Sequence, residues 1–340
     1  MRINLVLPPP TQGGILEKFA VRLQENTASF GHSAAISEDP DPSADINHWM
    51  IYHIVKGDHL PGSFLITHVD SVYRLQMICR AMDTTNIGIC LSSETRSFLT
   101  GKGIDPNRTC YIIPGTDAAA KPRRIIIGLT THIYDNHCKR EEVLLDAVKK
   151  IPLDLVRFEI YGKGWEAIIP KLESRGAEVV WEKPSADYLD DYQKITQRLP
   201  YFDYYLYMGL DEGSMGFLDA LAAGIPTIVT PQGFHLDIPN GITYPFFTAD
   251  QLAGILKKLQ DEKRGLVDSV KERTWHDYTH RHVVVWQAIL DGFKGDYQSL
   301  VSYPSNAMPN ISPDKQIARQ EKWNFYTRPI RNLLTRLIKR

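Results

Sequence analysis

The stretch Tyr204–Gln232, YYLYMGLDEGSMGFLDALAAGIPTIVTPQ, predicts a strand, a loop, a helix and a second strand in succession. The first strand covers Tyr204–Tyr207, and the helix covers Phe217–Ala223. Gly224 stands where a left-handed residue commonly ends a helix, and Pro226 cannot continue one. The β-branched run Thr227–Val229 that follows is typical of a strand. This order of elements indicates an α/β protein with a mostly parallel sheet.

The loop between the first strand and the helix combines glycines with acids. A glycine-rich loop that leads into a helix presents backbone N–H groups and a positive helix end to a phosphate. The backbone N–H groups that this loop could present belong to Gly213, Ser214, Met215 and Gly216. Two nearby carboxylates could accept hydrogen bonds from a sugar or a ribose. The alternative is a tight turn beside a solvated acidic pair.

The segment LDALAAGIP, residues 218–226, resembles the donor site of retaining GT-B glycosyltransferases, the group of glycogen- and sucrose-synthase-like enzymes. In that family a first acid precedes a second acid, which is followed by Ala-x-Ala-x-Gly-x-Pro. Seven residues lie between Asp211 and Asp219, which is the family's spacing, whereas Glu212 keeps the family's Glu-Gly dipeptide with one residue deleted. We take Glu212 as the first acid and Asp211 as the alternative. The resemblance implies that the first acid holds the sugar hydroxyls and that Asp219 holds the ribose diol.

Composition limits the other possibilities. The chain has 340 residues, enough for two domains, and its formal net charge of −1 does not indicate a nucleic-acid partner. The four cysteines lack metal-ligand spacing and are typical of free thiols in a reducing cytosol. The N-terminus does not read as a signal peptide, and no apolar run approaches a membrane span. We therefore expect a cytoplasmic protein without a metal or a cofactor.

The first domain begins with a strand at Ile3–Leu7, a loop containing Gly13 and Gly14, and a helix. This unit resembles the first unit of the same glycosyltransferases, in which the Gly-Gly loop borders the acceptor cleft. A generic βαβ turn is the alternative. Farther along, the strand Ser63–Ile66 is followed by His68, and the family carries a histidine beside the transferred sugar at a comparable strand end. The resemblance implies a catalytic role for His68.

His53 is the rival of His68, and it lies inside a predicted strand, Asn47–Val55. There it would be a core histidine whose ring nitrogens are hydrogen-bonded within the protein.

The second domain begins with the strand Ile125–Gly128. The family then places an arginine and a lysine on the diphosphate, a role suited to those side chains. Here Leu129 occupies the arginine position, and Lys139 and Arg140 precede the helix Glu141–Lys149. Either basic residue could supply the charge, or both are exposed residues at a helix start.

Two further turns resemble nucleotide contacts of the family. Gly162, Lys163 and Gly164 follow a predicted strand, although a lone GxG is weak evidence. Glu182 and Lys183 stand at the end of the next strand, where the family places contacts with the base.

The C-terminal part is predicted to be helical over 251–259, 264–273 and 282–290. Residues 322–340 hold six basic residues and no acid, and four aliphatic residues form one helical stripe: Ile330, Leu333, Leu334 and Leu337. Such a helix either lies on an anionic membrane surface, at the inner face of the membrane, or folds back onto the first domain.

We therefore predict an α/β protein with the GT-B fold, two Rossmann-like domains facing each other across a cleft. The acceptor domain covers residues 1–120, the nucleotide-sugar domain 121–296, and the tail 297–340. The resemblance implies metal-independent transfer of a hexose, with retention, from a UDP- or GDP-type donor to a glycan or lipid-linked acceptor, in surface glycan or glycoconjugate biosynthesis. The alternative is a catalytically silent subunit that acts as a binding partner, because the arginine is missing and the acids are shifted. An NAD enzyme is disfavoured, because neither domain shows G-x-G-x-x-G after its first strand.

Overall fold

The computed structural model describes residues 1–55, 60–117, 119–185 and 187–303. The described chain divides into two compact units. Of the described residues, the first unit takes 1–117 and 272–303, and the second runs from Ala119 to Lys271. The basic stripe predicted in residues 322–340 lies outside the described residues.

Twelve strands are described, in chain order: β1 Arg2–Val6, β2 Ser33–Ser37, β3 Ile46–Trp49, β4 Gly62–Ile66, β5 Ile87–Cys90, β6 Thr109–Tyr111, β7 Ile125–Leu129, β8 Val156–Tyr161, β9 Glu178–Glu182, β10 Tyr204–Tyr207, β11 Thr227–Val229 and β12 Tyr244–Pro245. Ten α-helices are described: α1 Ile15–Thr27, α2 Val72–Thr84, α3 Ser93–Thr100, α4 Glu141–Val148, α5 Ile169–Glu173, α6 Tyr188–Arg198, α7 Met215–Ala222, α8 Ala249–Asp268, α9 Trp275–Leu290 and α10 Tyr297–Leu300.

Each unit is built on a six-stranded parallel sheet. The order in the first is β2-β1-β3-β4-β5-β6, and in the second β12-β11-β10-β7-β8-β9. Counted within its unit, the second sheet has the order 3-2-1-4-5-6 of a dinucleotide-binding Rossmann fold, and the first begins 2-1-3-4-5 as flavodoxin-like sheets do. The prediction of two Rossmann-like α/β domains is confirmed.

Buried apolar side chains cover both faces of each sheet, which is what parallel sheets require. In the second unit one cluster is built around Phe158 and Trp165, and the other around Tyr205 and Phe217. The central strands β7, β10 and β11 are therefore almost fully buried, whereas the residues of the edge strand β9 are only partly buried.

The position of α9 differs from the predicted domain organisation, which placed residues 272–296 in the second domain. The helix belongs to the first unit, where its aromatic residues Trp275, Tyr278 and Trp286 join the same core cluster as Phe19 and Leu23 of α1. The burial of these large rings holds the helix there, because each contributes 150–250 Å² of apolar surface.

Two predicted elements are also corrected. The strand predicted over 47–55 ends at Trp49, and Tyr52–Ile54 form a 3₁₀ turn on which His53 is exposed, so His53 is not a core histidine. The helices predicted over 251–259 and 264–273 are one continuous helix, α8, which ends at Asp268. No helix in the described part of the chain is long and apolar enough to cross a membrane.

Candidate functional site

A cavity of about 230 Å³ opens at the carboxyl edge of the second sheet. Its floor is formed by residues that end or follow three neighbouring strands: Thr130 after β7, Tyr161 and Gly162 at β8, and Glu182 at β9. The first turn of α7, which follows β10, closes one side. The strand order reverses between β7 and β10, and α/β sheets bind their ligands outside the carboxyl ends of the strands at such a switch point.

Five of the residues predicted to bind the donor line this cavity: Gly162, Glu182, Met215, Gly216 and Asp219. The others predicted in this unit do not line it: Lys139, Arg140, Lys163, Gly164, Asp211, Glu212, Gly213 and Ser214.

Two glycines allow the walls of the cavity to approach each other. A Cβ atom on Gly216 would lie 2.1 Å from Oγ1 of Thr130 and 2.5 Å from the hydroxyl oxygen of Tyr205. A Cβ atom on Gly162 would lie 2.0 Å from the carbonyl oxygen of Thr131. The first turn of α7 can therefore pack against the end of β7 only when position 216 has no side chain.

The amides of the loop before α7 are not equally available to a ligand. Ser214 N–H donates to Nε2 of His235 at 2.9 Å, and Nδ1 of His235 lies 3.2 Å from the carbonyl oxygen of Thr230. These contacts require the neutral tautomer with hydrogen on Nδ1, and burial lowers the pKa of His235, which keeps the ring neutral. Gly213 N–H donates to Asp211 at 3.2 Å. Among the described residues, the N–H groups of Met215 and Gly216 have no partner, so these two amides are free to bind an anion.

The two acids proposed for the sugar have different environments. Tyr207 donates its hydroxyl to both oxygens of Asp211, at 2.6 and 2.7 Å, and Lys139 forms an ion pair with the same carboxylate. Partial burial raises the pKa of Asp211, but the hydrogen bonds from Lys139 and Tyr207 outweigh it and lower that pKa overall. Glu212 is exposed, and its carboxylate has no partner in the described part of the chain. Asp211 is therefore part of a side-chain network, whereas Glu212 is free to bind a ligand.

The basic residues proposed for the diphosphate are also engaged within the protein. Lys139 Nζ lies 2.9 Å from the hydroxyl oxygen of Tyr207 in addition to pairing with Asp211. Arg140, which has a φ of +55°, donates to the carbonyl oxygen of Phe247 at 2.6 Å. Leu129, in the position of the family's arginine, is fully buried in β7.

The turn at Gly162–Gly164 braces the loop that follows β7. Lys163 N–H donates to Nδ1 of His132 at 3.0 Å, and Trp165 Nε1 donates to the carbonyl oxygen of Thr131 at 2.7 Å. Gly164 has a φ of +81°, and a Cβ atom there would lie 2.7 Å from the carbonyl oxygen of Ile133. Lys163 and Gly164 thus position the loop, and only Gly162 reaches the cavity.

The remaining wall of the cavity belongs to α6 and the segment before it, and of the residues in this wall the sequence predicted only Lys183. Its cations are Lys183, 3.2 Å from Glu166, and Lys194, 2.6 Å from Asp190. Both lysine side chains are more than half exposed. The available signal was topological, since α6 follows the carboxyl end of β9 and must begin beside the sheet edge where Glu182 lies.

The predicted residues of the first unit lie at the carboxyl ends of its own strands. His68 follows β4; its Nδ1 is 3.0 Å from Oγ1 of Thr67, its Nε2 is 3.9 Å from Asp70, and its side chain is 56% exposed. Gly13 and Gly14 follow β1, and an added Cβ atom on either would meet nothing within 4 Å. They lie beside the strand-order reversal of the first sheet, on an open surface.

No protein-family model and no curated protein sequence matches the chain. Among solved structures, it is similar to HepE from Anabaena in complex with UDP-glucose, with 12% identity, coverage of 88% of this chain and 97% of that chain, and a TM-score of 0.32. A glycosyltransferase from Rickettsia africae shares 12% identity over 85% of this chain and 98% of that one, with a TM-score of 0.34. AviGT4, a glycosyltransferase involved in avilamycin A biosynthesis, shares 15% identity over 86% and 98%, with a TM-score of 0.31. At this level of similarity the neighbours carry no argument about the activity of this chain.

Proposed function

We propose that this protein is a glycosyltransferase that moves a sugar from a nucleoside-diphosphate donor to an acceptor hydroxyl, with retention of configuration. The observation that carries the proposal is the cavity at the switch point of the second sheet. Five of its lining residues are ones that the sequence predicts to bind the donor, and they come from three separate segments of the chain.

The chemistry of the cavity suits each part of such a donor. The free amides of Met215 and Gly216 and the positive end of α7 favour a diphosphate. Asp219, one turn farther along α7, would accept hydrogen bonds from the ribose diol. Lys183 and Lys194 add positive charge at the cavity.

Glu212 is proposed to hold the hydroxyls of the transferred sugar, because its carboxylate is exposed and unpartnered among the described residues. Gly13, Gly14 and His68 are proposed for the acceptor and the developing charge at the sugar. A glycan or a lipid-linked sugar is the proposed acceptor class.

Isothermal titration of the purified protein with UDP and GDP tests the donor site, and release of the nucleoside diphosphate from its sugar ester tests the reaction. We expect saturable binding of at least one nucleotide and turnover of the matching sugar nucleotide. If neither UDP nor GDP binds, the proposal is overturned.

A second candidate function is a silent subunit that binds a partner and does not turn over. The observation in its favour is that Lys139, Arg140 and Asp211 are all occupied by contacts within the protein. Nucleotide binding without any transfer, with a panel of sugar nucleotides and acceptors, would favour this candidate.

The C-terminal segment 322–340 is proposed to attach the protein to anionic membranes. Each basic residue near such a surface contributes about 1 kcal/mol. Sedimentation with anionic vesicles at low salt tests this, and full-length protein that stays in the supernatant contradicts it.

A further inference from the structure

We infer that the base of the bound nucleotide is guanine and that Glu182 selects it. The inference rests on the proposed function, because it places a nucleoside diphosphate in the cavity of the second unit. It goes further by naming the base and the side chain that reads it.

The direction of the nucleotide follows from the order of the strands. The free amides that suit the phosphates belong to α7, which follows β10, and Asp219 lies one turn farther along that helix. The next strands across the cavity are β7, β8 and β9. Three strand spacings span about 14 Å, which is the reach of an extended nucleoside diphosphate. With its phosphates at α7, the nucleotide therefore places its base at the carboxyl end of β9.

The cavity at this end is built for a flat ring. Tyr161, Pro184 and Ile195 line it with apolar surface, and such surfaces accept the faces of a base. Burial raises the pKa of Tyr161 to about 12, so its hydroxyl stays uncharged beside a ligand. Stacking of this kind holds any base and selects none of them.

Selection falls to the polar groups at the edge of the ring. Glu182 ends β9 and lines the cavity, and its carboxylate has no hydrogen bond or ion pair among the described residues. An ionised carboxylate is an acceptor only, with two oxygens side by side. It therefore favours a base that presents two adjacent donors.

Guanine is the common base that meets this requirement. Its N1–H and its N2 amino group are neighbouring donors, and O6 beside them is an acceptor. Uracil offers one N–H between two carbonyl oxygens, so the second carboxylate oxygen would face a like partial charge. Adenine and cytosine each offer an amino group next to a ring-nitrogen acceptor. Lys183, adjacent to Glu182, supplies a donor suited to O6.

The test compares dissociation constants of GDP, IDP and UDP by isothermal titration. IDP differs from GDP only in lacking the N2 amino group, so it isolates one of the two donors. We expect GDP to bind roughly tenfold or more tightly than UDP, as a bidentate base contact provides, with IDP between them. Glu182→Gln should weaken GDP binding by roughly tenfold while leaving UDP binding nearly unchanged.

Glu173→Gln is the matched control, because Glu173 is an exposed glutamate of the same unit that does not line the cavity. It should leave all three constants unchanged, and melting temperatures should show that both variants are folded. UDP binding as tight as GDP, or an equal loss for both nucleotides in Glu182→Gln, would overturn the guanine assignment and leave the nucleotide site intact. Absence of binding by all three nucleotides would instead overturn the proposed function itself.

Discussion

Asp219 lines the cavity of the second unit from the first turns of α7, and no cation pairs with it among the described residues. Replacement by alanine should weaken nucleotide binding by roughly ten- to a hundredfold, because a hydrogen bond to a charged group contributes about 1.5–3 kcal/mol. Titration of nucleotide into the variant measures the loss. Asp237→Ala, at an exposed carboxylate of the same unit outside the cavity, should change nothing. Equal affinities in both variants would contradict the donor site.

Glu212 and Asp211 are adjacent in sequence but should respond differently to loss of charge. Glu212→Gln should lower turnover while leaving nucleotide affinity and the melting temperature unchanged, since its carboxylate contacts no other described side chain. Asp211→Asn leaves Lys139, only 17% exposed, without its anion and should reduce the free energy of unfolding by roughly 1–3 kcal/mol.

Activity assays and thermal melts of the two variants distinguish these roles. A stable Asp211→Asn protein without turnover, beside a fully active Glu212→Gln protein, would show that the family's seven-residue spacing identifies the sugar-binding acid.

The contrast between these acids also shows what sequence could predict at this scale. The motif LDALAAGIP placed Asp219 on a helix beside a glycine-rich loop, because turn and helix signals are local. The partner of Asp211 could not be predicted, since Lys139 lies 72 residues earlier in the chain. Contacts across that separation depend on which strands become neighbours.

Among the elements, β10 and β11 have the predicted bounds, and α7 begins two residues earlier than predicted and ends one residue earlier. Short strands between glycine and proline signals are well specified locally. The sequence predicts two helices where α8 is continuous, because the polar run Gln260–Lys263 interrupts its apolar pattern. Leu252, Leu256 and Leu259 bury the first half of α8 in the core, and packing overrides weak local propensity in such helices.

The packing of α9 on the first sheet predicts a pH-dependent stability. His282 of α9 and His48 of β3 are both fully buried, with ring centroids 5.4 Å apart. Burial lowers the pKa of His282 to about 4, and burial together with the nearby His282 lowers the pKa of His48. Among the described residues, the Nε2 atom of each ring is buried and has no hydrogen-bond partner, so no acceptor stabilises a protonated ring.

The sign follows from the shift. A histidine in the unfolded chain has a pKa near 6.5. Below that pH the unfolded state therefore binds more protons than the native state, in which the pKa is lower. The free energy of unfolding should therefore fall as the pH is lowered from about 6.5 towards 4, by about 1.4 kcal/mol per pH unit for His282 alone. Chemical denaturation at several pH values measures this slope. His282→Gln should flatten it, whereas His280→Gln, at an exposed residue of the same helix, should leave it unchanged.

At the scale of the whole molecule, the sequence predicted two α/β domains but assigned α9 to the wrong one. The pattern of strands and helices identifies a domain only where the elements of that domain follow one another in the sequence. A helix that returns to the first core after the second domain is complete gives no local sign of its destination. Its aromatic residues indicated burial, and the core that receives them depends on the three-dimensional path of the chain.

That path predicts an asymmetry between two ways of dividing the chain. The second unit is continuous in sequence, and both of its core clusters consist of residues between 125 and 259. A fragment covering residues 119–271 should therefore fold cooperatively and retain the nucleotide affinity of the full chain, since the proposed site lies within it.

The first unit needs α9, because Trp275, Tyr278 and Trp286 fill the core cluster that includes Phe19. A chain ending at Lys271 loses all three rings, and losing even one large aromatic ring costs about 3–5 kcal/mol against a typical total of 5–15. Circular dichroism melts and limited proteolysis should show the second unit intact and the first unit unfolded in that chain. Two complete melting transitions in the chain that ends at Lys271 would contradict this division.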